Sequence, residues 1–197
     1  MKVGILAIQG DFELHKNKVE ACGFEWMYVK KESDLDKVDG LIFPGGESTT
    51  ITKIISRYGI DKALVRKINE GMPIFATCAG LIMMAKEFEG EEKEVSPLRV
   101  LYVKVKRNAY GRQRESFEAP LKLKLGNDEV EITGIFIRAP KITAVESGIE
   151  VLGHFEGSPV AVRQGNILAM TFHPELDEGV EIYHYFGRII KERKQHV

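Results

Sequence analysis

Short apolar runs alternate with stretches of helix length along residues 1–90, and this alternation limits the possible folds more than any other feature. Each apolar run is followed by turn residues, and the runs are 3–8, 24–29, 41–43 and 74–75. Strands that alternate with helices form a parallel sheet covered by helices on both faces. The sequence therefore predicts an α/β fold with a central, mostly parallel sheet.

The segments between the runs have the features of helices. The first helix is expected to end near Cys22, and others are expected over 61–70, from 81 to a turn at 88–90, and over 178–193. Asp11 is predicted to cap the first helix, because its side chain can accept hydrogen bonds from free N–H groups. If the segment after the third strand is a plain tight turn, Ser48 or Thr49 would cap the next helix in the same way. His15 is predicted to lie on a surface that faces a partner.

The second half of the chain is rich in β-strand patterns. Strands are expected at 100–105, 121–125, 130–137, 151–155, 159–162 and 167–172, with hairpin turns at 126–128 and 164–166. The sequence shows no linker between the halves, no repeat and no low-complexity tract. We therefore expect one domain over residues 1–197, in which the β-rich second half extends the same sheet.

Cys78 lies where the strand at 74–75 gives way to the next helix. A sharp strand-to-helix turn exposes one side chain at the end of a sheet and requires small neighbours, which Ala76, Ala79 and Gly80 provide. The start of the helix directs N–H groups at the sulfur and favours a thiolate. Cys78 is thus a candidate nucleophile, and a buried cysteine packed as a small apolar side chain is the alternative.

Gly45 and Gly46 follow the third strand, at the sheet edge where ligands of parallel sheets bind. Either glycine allows the backbone to approach a substrate closely, so its N–H could join that of Ala79 in an oxyanion hole. A phosphate loop is disfavoured because the required G-x-x-x-x-G-K-[ST] pattern is absent. A simple tight turn is the remaining interpretation.

His173 and Glu175 stand on the same side of an extended segment, with Pro174 fixing the backbone between them. A carboxylate beside an imidazole selects its tautomer and stabilises the imidazolium, so Cys78, His173 and Glu175 form a candidate nucleophile, base and orienting acid. The alternatives are an exposed strand end and a zinc site made from the same three side chains, which lacks a compact pair of ligands.

Composition excludes several classes of partner. The formal net charge of -1, from 28 basic and 29 acidic residues, gives no reason to expect nucleic acid or an anionic membrane. No segment approaches the roughly 18 apolar residues of a membrane span, and the apolar run at 3–8 is too short for a signal peptide. We expect a cytoplasmic protein in which Cys22 and Cys78 are reduced.

Three strings together resemble the class I glutamine amidotransferases: Gly46-Glu47-Ser48, Thr77-Cys78-Ala79-Gly80 and His173-Pro174-Glu175. Residues 6–12, 107–113 with 116–118, and 136–140 narrow the resemblance to the glutaminase subunits of pyridoxal 5'-phosphate synthase. The resemblance spans nearly the whole chain. It implies a three-layer, flavodoxin-like class I amidotransferase fold. One departure is Ala76, where the family usually has glycine, and a positive φ at this position would strain the alanine.

The resemblance also implies a reaction and its residues. Cys78 would attack the side-chain amide of L-glutamine, His173 would act as base and then acid, and Glu175 would orient it. The oxyanion would be bound by N–H groups of Gly46 and Ala79. The family's glutamine-binding positions correspond to Gly46, Glu47, Ser48, Arg107, Ile137 and Arg138. Neither a metal nor a cofactor is implied.

The implied partner is a separate, barrel-shaped synthase subunit in a hetero-oligomeric complex. That subunit would condense ammonia from the glutaminase with ribose 5-phosphate and glyceraldehyde 3-phosphate. Three alternatives remain: a free-standing cysteine hydrolase, a catalytically idle binding subunit with the same fold, and an amidotransferase subunit of another pathway. A glutaminase assay with and without the synthase separates these functions.

Overall fold

A computed structural model describes residues 1–90, 94–107, 109 and 115–195 of the chain. The helices are α1 (Phe12–Ala21), α2 (Ser48–Arg57), α3 (Ile60–Asn69), α4 (Ala79–Met84) and α5 (Glu181–Gln195), with a 3-10 turn at Glu32–Lys37. The strands are β1 (Lys2–Leu6), β2 (Glu25–Val29), β3 (Gly40–Phe43), β4 (Ile74–Thr77), β5 (Ala85–Glu89), β6 (Leu101–Lys106), β7 (Ser116–Leu125), β8 (Asp128–Ile137), β9 (Lys141–Val145), β10 (Glu150–Phe155), β11 (Ser158–Gln164) and β12 (Ile167–Met170).

Seven of these strands form the central sheet, in the order β10-β11-β12-β4-β3-β1-β2. The five strands from β12 to β2 are parallel, while β10, β11 and β12 pair antiparallel. The parallel part has the strand order 2-1-3-4-5 of flavodoxin-like proteins, with β12 as the fifth strand. The expected α/β class with a mostly parallel sheet is therefore confirmed.

Alternate side chains of the central strands pack on opposite faces of the sheet, as the two-residue period of a strand requires. Leu41 and Phe43 of β3 join a core with residues of α2, α3, α4 and the small sheet around β6. Ile42, between them, joins a second core with α1, α5 and the β7–β8 hairpin. Both faces of the sheet are covered, so its ligand-binding surface is confined to the strand ends.

The second half extends the central sheet only in part, which corrects the prediction. Strands β10, β11 and β12 join it, whereas β5, β6 and β9 form a three-stranded sheet and β7 and β8 pair as a ribbon. The predicted turns at 126–128 and 164–166 do connect antiparallel pairs. Strand β9 was not expected, because only Ile142 among its five residues is buried and the segment shows no apolar period.

The helices also differ in detail from the expectations. The helix after Cys78 ends at Met84, and the following residues form β5 rather than continuing the helix to the turn at 88–90. Asp11 does occupy the N-cap position of α1, but its side chain makes no capping hydrogen bond. Glu47, rather than Ser48 or Thr49, caps α2. No helix in the described part of the chain has both the length and the apolar character needed to cross a membrane.

Candidate active site

Three turns meet at the carboxyl edge of the central sheet. They follow the neighbouring strands β3, β4 and β12 and carry Gly45, Cys78 and His173. Because parallel strands end at the same edge, residues almost a hundred positions apart in sequence become neighbours there. Both Cys78 and His173 are buried, with 7% and 5% of their surfaces exposed.

Cys78 occupies a strained turn between β4 and α4. Its φ of 49° and ψ of −109° are unusual for a residue with a side chain. Gly80 permits the turn, because a methyl group there would lie 2.3 Å from the carbonyl oxygen of Phe43. Ala76 lies inside β4 without a positive φ, so the condition under which it would be strained is not met, and the strained residue is Cys78 itself.

His173 and Glu175 form a buried pair, in which Nδ1 of the imidazole lies 2.7 Å from Oε1 of the carboxylate. Burial lowers the pKa of His173, but interactions with Cys78 and Glu175 outweigh it and raise the pKa to about 10. Burial disfavours the charged form of Glu175 too and therefore raises its pKa, yet the nearby imidazoles of His15 and His173 lower that pKa overall. The geometry favours a charged imidazole held by a carboxylate.

The imidazole of His173 also adjoins the thiol. A methyl group built on Gly45 would lie 3.0 Å from Cε1 of His173 and 3.1 Å from Cβ of Cys78, so both side chains pack closely against Gly45. Since Nδ1 is held by Glu175, Nε2 is the nitrogen left for the sulfur. Within the described residues Nε2 makes no hydrogen bond of standard geometry, a looseness common in unliganded sites. The structure thus brings Cys78, His173 and Glu175 together.

The turn after β3 presents Gly46 rather than Gly45 to a ligand. The N–H of Gly45 donates to Oγ1 of Thr77 at 3.1 Å, so it is already used. Gly46, with φ of 153°, is exposed at the turn, and the N–H of Glu47 donates to Oε1 of Gln9 at 2.7 Å. Ala79 begins α4 directly after Cys78. These placements are compatible with the oxyanion positions proposed from sequence.

The remaining predicted glutamine-binding residues surround this edge. Glu47 caps α2 and pairs with Arg107, whose Nη2 lies 3.3 Å from its carboxylate. Ser48 is buried beside it. Ile137 places its carbonyl oxygen 3.9 Å from Sγ of Cys78, and the exposed Arg138 has a left-handed φ of 43°. Within the polar string at 107–118, residues 108 and 110–114 lie outside the described residues.

The zinc alternative is not matched by the geometry. Among the residues that the structure describes, the grouping of possible ligand atoms within 4.8 Å of one another consists of Asp11, His173 and Glu175, without the sulfur of Cys78. Nδ1 of His173 is already engaged by Glu175. Cys22 and Cys78 are both free thiols.

Two groups next to the site were not recognised from sequence. His15 was predicted to face a partner, but it is completely buried and contacts Glu175, which corrects that expectation. Its position four residues before the buried Val19, on the same face of α1, was the signal available. Tyr183 of α5, whose hydroxyl lies 2.8 Å from Nδ1 of His15, gave no signal because it sits within an apolar stripe.

Fold and site together define a class: flavodoxin-like α/β proteins in which a strand-to-helix cysteine turn faces a histidine–carboxylate pair. The chain belongs to the SNO glutamine amidotransferase family, whose sequence profile matches residues 5–192.

Relatives match the chain over nearly all of its residues. It is 47% identical over 192 residues to the pyridoxal 5'-phosphate synthase subunit PdxT of Thermotoga neapolitana, covering 97% of this chain and 100% of the relative. It is 45% identical over 195 residues to the same-named subunit of Dehalococcoides mccartyi, covering 98% and 100%. A solved glutamine amidotransferase structure superposes with a TM-score of 0.89 at 44% identity, covering 96% of this chain and 98% of the other. A putative GMP synthase protein of Thermoplasma acidophilum shares the fold alone, at 18% identity, a TM-score of 0.73, and coverage of 99% and 96%.

Proposed function

We propose that the chain is the glutaminase subunit of a pyridoxal 5'-phosphate synthase. It hydrolyses L-glutamine to glutamate and ammonia and delivers the ammonia to a synthase subunit. The observation that carries the proposal is the meeting of the Cys78 turn with the buried His173–Glu175 pair in a chain whose full-length relatives bear that subunit name.

The first half of the reaction forms a thioester. The sulfur of Cys78 attacks the side-chain carbonyl carbon of glutamine, while His173 holds the thiol proton on Nε2. Negative charge develops on the carbonyl oxygen, where the N–H groups of Gly46 and Ala79 stabilise it. His173 then gives its proton to the departing nitrogen, the C–N bond breaks, and ammonia leaves a γ-glutamyl thioester on Cys78.

The second half releases glutamate. His173 takes a proton from water, the resulting hydroxide attacks the thioester, and the C–S bond breaks. Glu175 keeps Nδ1–H of His173 in place through both halves, because their 2.7 Å contact fixes the tautomer and favours the imidazolium. The high pKa of His173, about 10, favours the charge-separated thiolate and imidazolium before attack.

Substrate binding uses the residues around the same edge. The polar groups of Glu47, Ser48, Arg107 and Arg138 are suited to the ammonium and carboxylate of glutamine, and Ile137 borders the thiol. In the resting structure Glu47 is engaged with Arg107 and with the first turn of α2. Glutamine is therefore proposed to bind where the ion pair between Glu47 and Arg107 already exists.

The partner is proposed to be a barrel-shaped synthase subunit that forms a hetero-oligomeric complex with this chain. It would accept ammonia without release to water and condense it with ribose 5-phosphate and glyceraldehyde 3-phosphate. We place the reaction in the cytoplasm and assign residues 1–197 to one glutaminase domain.

The test is a glutaminase assay of the purified chain, alone and with the synthase subunit from the same organism, measuring glutamate and ammonia. We expect a large stimulation by the synthase, loss of activity in Cys78→Ala and His173→Ala, and a smaller loss in Glu175→Gln. The matched control is Cys22→Ala, which removes the other free thiol and should leave activity intact.

A second measurement reports the covalent step directly. With radiolabelled glutamine, a His173 variant that forms the thioester but hydrolyses it slowly should retain label on Cys78. Activity that survives Cys78→Ala would refute the mechanism. Full activity without the synthase would favour the free-standing hydrolase.

A further inference from the structure

A buried polar cluster lies directly beneath the proposed site. It consists of His15 of α1, Thr77 of β4, Glu175 and Tyr183 of α5, each no more than 3% exposed. Burying four polar side chains is costly unless they bond to one another. Here hydrogen bonds link Tyr183 and Thr77 to His15, and a 3.4 Å contact joins Nε2 of His15 to the carboxylate that holds His173.

One assignment of the protons suits every polar contact in this cluster. Oε1 of Glu175 is bound to His173, and Oε2 lies 3.4 Å from Nε2 of His15. A carboxylate only accepts, so Nε2 of a neutral His15 must carry the proton, and Nδ1 must then be an acceptor. The hydroxyl of Tyr183, 2.8 Å from Nδ1, is accordingly the donor.

The charge states suit this assignment. Complete burial lowers the pKa of His15, although the carboxylate of Glu175 acts in the opposite direction. Burial, together with that carboxylate, raises the pKa of Tyr183 well above its ordinary value. A neutral imidazole and a protonated phenol are the forms that the hydrogen bonds require.

A second branch leads to the turn after β3. Nε2 of His15 forms a 3.3 Å hydrogen bond with Oγ1 of Thr77 and also lies 3.4 Å from Oε2 of Glu175. The same Thr77 oxygen accepts the N–H of Gly45, the residue before the proposed oxyanion donor Gly46. One imidazole therefore contacts both the orienting acid and the support of the oxyanion turn.

We propose that His15 is a positioning residue for glutamine hydrolysis: it anchors the second oxygen of Glu175 and, through Thr77, ties the oxyanion turn to the same point. The inference rests on the proposed function. Oε2 of Glu175 makes no hydrogen bond of standard geometry among the described residues, so its 3.4 Å contact with Nε2 of His15 is what opposes rotation of the carboxylate away from His173.

The experiment compares two replacements of His15 in the chain bound to its synthase subunit. His15→Leu removes the N–H at similar volume, whereas His15→Gln can place an amide N–H where Nε2 stood. A misplacement of about 1 Å costs up to about 10²-fold in rate, so we expect His15→Leu to lower kcat about 10- to 100-fold. The KM for glutamine should stay within about twofold, because His15 touches no proposed substrate contact, and His15→Gln should recover most of kcat.

His184 supplies the matched control. It is a second histidine, exposed on α5 with its ring against Phe24, and His184→Leu and His184→Gln should both keep the kcat of the unmodified chain. Thermal melting of each complex shows whether a loss of rate is only a loss of folded protein. A purely structural role would lower the melting temperature without the selective rescue by glutamine.

Two results would overturn the proposal: an unchanged kcat in a folded His15→Leu, or equal losses in His15→Leu and His15→Gln. If His15→Leu does not fold, Tyr183→Phe decides, since it removes only the hydroxyl that sets the tautomer; we expect a severalfold lower kcat, and an unchanged kcat refutes the idea. Failure of the proposed function is distinct, because the unmodified chain would then show no glutaminase activity with the synthase.

Discussion

Gly45 offers a sharp test of the site because it packs against both the proposed nucleophile and the proposed base. Its φ is outside the left-handed region, so alanine can adopt the backbone without strain, and only the added methyl group matters. That methyl would lie 3.0 Å from Cε1 of His173 and 3.1 Å from Cβ of Cys78. Gly45→Ala therefore crowds both catalytic side chains at once.

The size of the effect follows from these distances. Ordinary van der Waals contact begins at 3.4 Å, so the ring must move by about 0.4 Å and the cysteine by about 0.3 Å. If a displacement of about 1 Å costs about 10²-fold, the separate shifts cost about fourfold to sixfold and the combined shift about 25-fold. We expect kcat for glutamine hydrolysis to fall about 5- to 25-fold, and the crowding to cost about 1–3 kcal/mol of stability.

The assay is steady-state glutaminase activity in complex with the synthase, with thermal melting beside it. Gly40→Ala is the matched control: Gly40 begins the same strand that Gly45 follows, and its added methyl would lie 2.8 Å from Cδ1 of Ile190 and 3.2 Å from Cζ of Phe186. This crowding is at least as severe but lies in the core, so it should lower the melting temperature and preserve kcat. A Gly45→Ala complex with the kcat of the unmodified chain would show that Gly45 does not set the spacing between sulfur and imidazole.

Three further predictions concern the same edge of the sheet. Glu47→Ala should lower the free energy of unfolding by about 1 kcal/mol through loss of the cap on α2. Burial opposes ionisation of Glu47, but hydrogen bonds from the first turn of α2 lower its pKa from 4.5 to about 2. The stabilisation by Glu47 is therefore present above pH 4.5 and is lost as the pH falls towards 2, which acid titration of both proteins would show. The raised pKa of His173 gives a contribution to stability that is complete below pH 6.5 and is lost as pH rises through about 10, so melting temperatures should fall over that range, and less steeply in Cys78→Ala. Gly80→Ala should destabilise by about 3 kcal/mol or more, because its methyl would meet the backbone oxygen of Phe43 at 2.3 Å and no side-chain rotation relieves the contact; a melting temperature equal to that of the unmodified chain would contradict this.

The central sheet could be predicted because its strands are short, apolar and bounded by turn residues. The segments 3–8, 41–43 and 74–75 correspond to β1, β3 and β4, buried on both faces. Where the apolar run was longer the prediction failed: residues 81–85 suit a buried helix or a buried strand equally, and the chain changes from α4 to β5 within them. Pairing partners in the second half were beyond the sequence, since a strand pattern does not state which strand lies beside it.

The candidate site was more predictable than its support. Cys78, His173 and Glu175 stood out because each lies in a turn or extended segment of unusual composition. His15 and Tyr183 did not, because a buried polar side chain looks ordinary until its hydrogen-bond partners are known from the fold. The role of Glu47 as a cap was missed for a related reason: Ser48 and Thr49 are better capping types, but the backbone begins α2 one residue earlier.

The left-handed backbone of Cys78 has a consequence for work with inactive forms of the enzyme. A conformation of this kind costs on the order of 1–3 kcal/mol for a residue with a side chain, and glycine adopts it almost freely. The proposed nucleophile therefore lies at a strained backbone position, where the requirements of activity and of stability are opposed. An inactive Cys78→Gly variant would thus be more stable than the native protein, and its stability would overestimate that of the active protein.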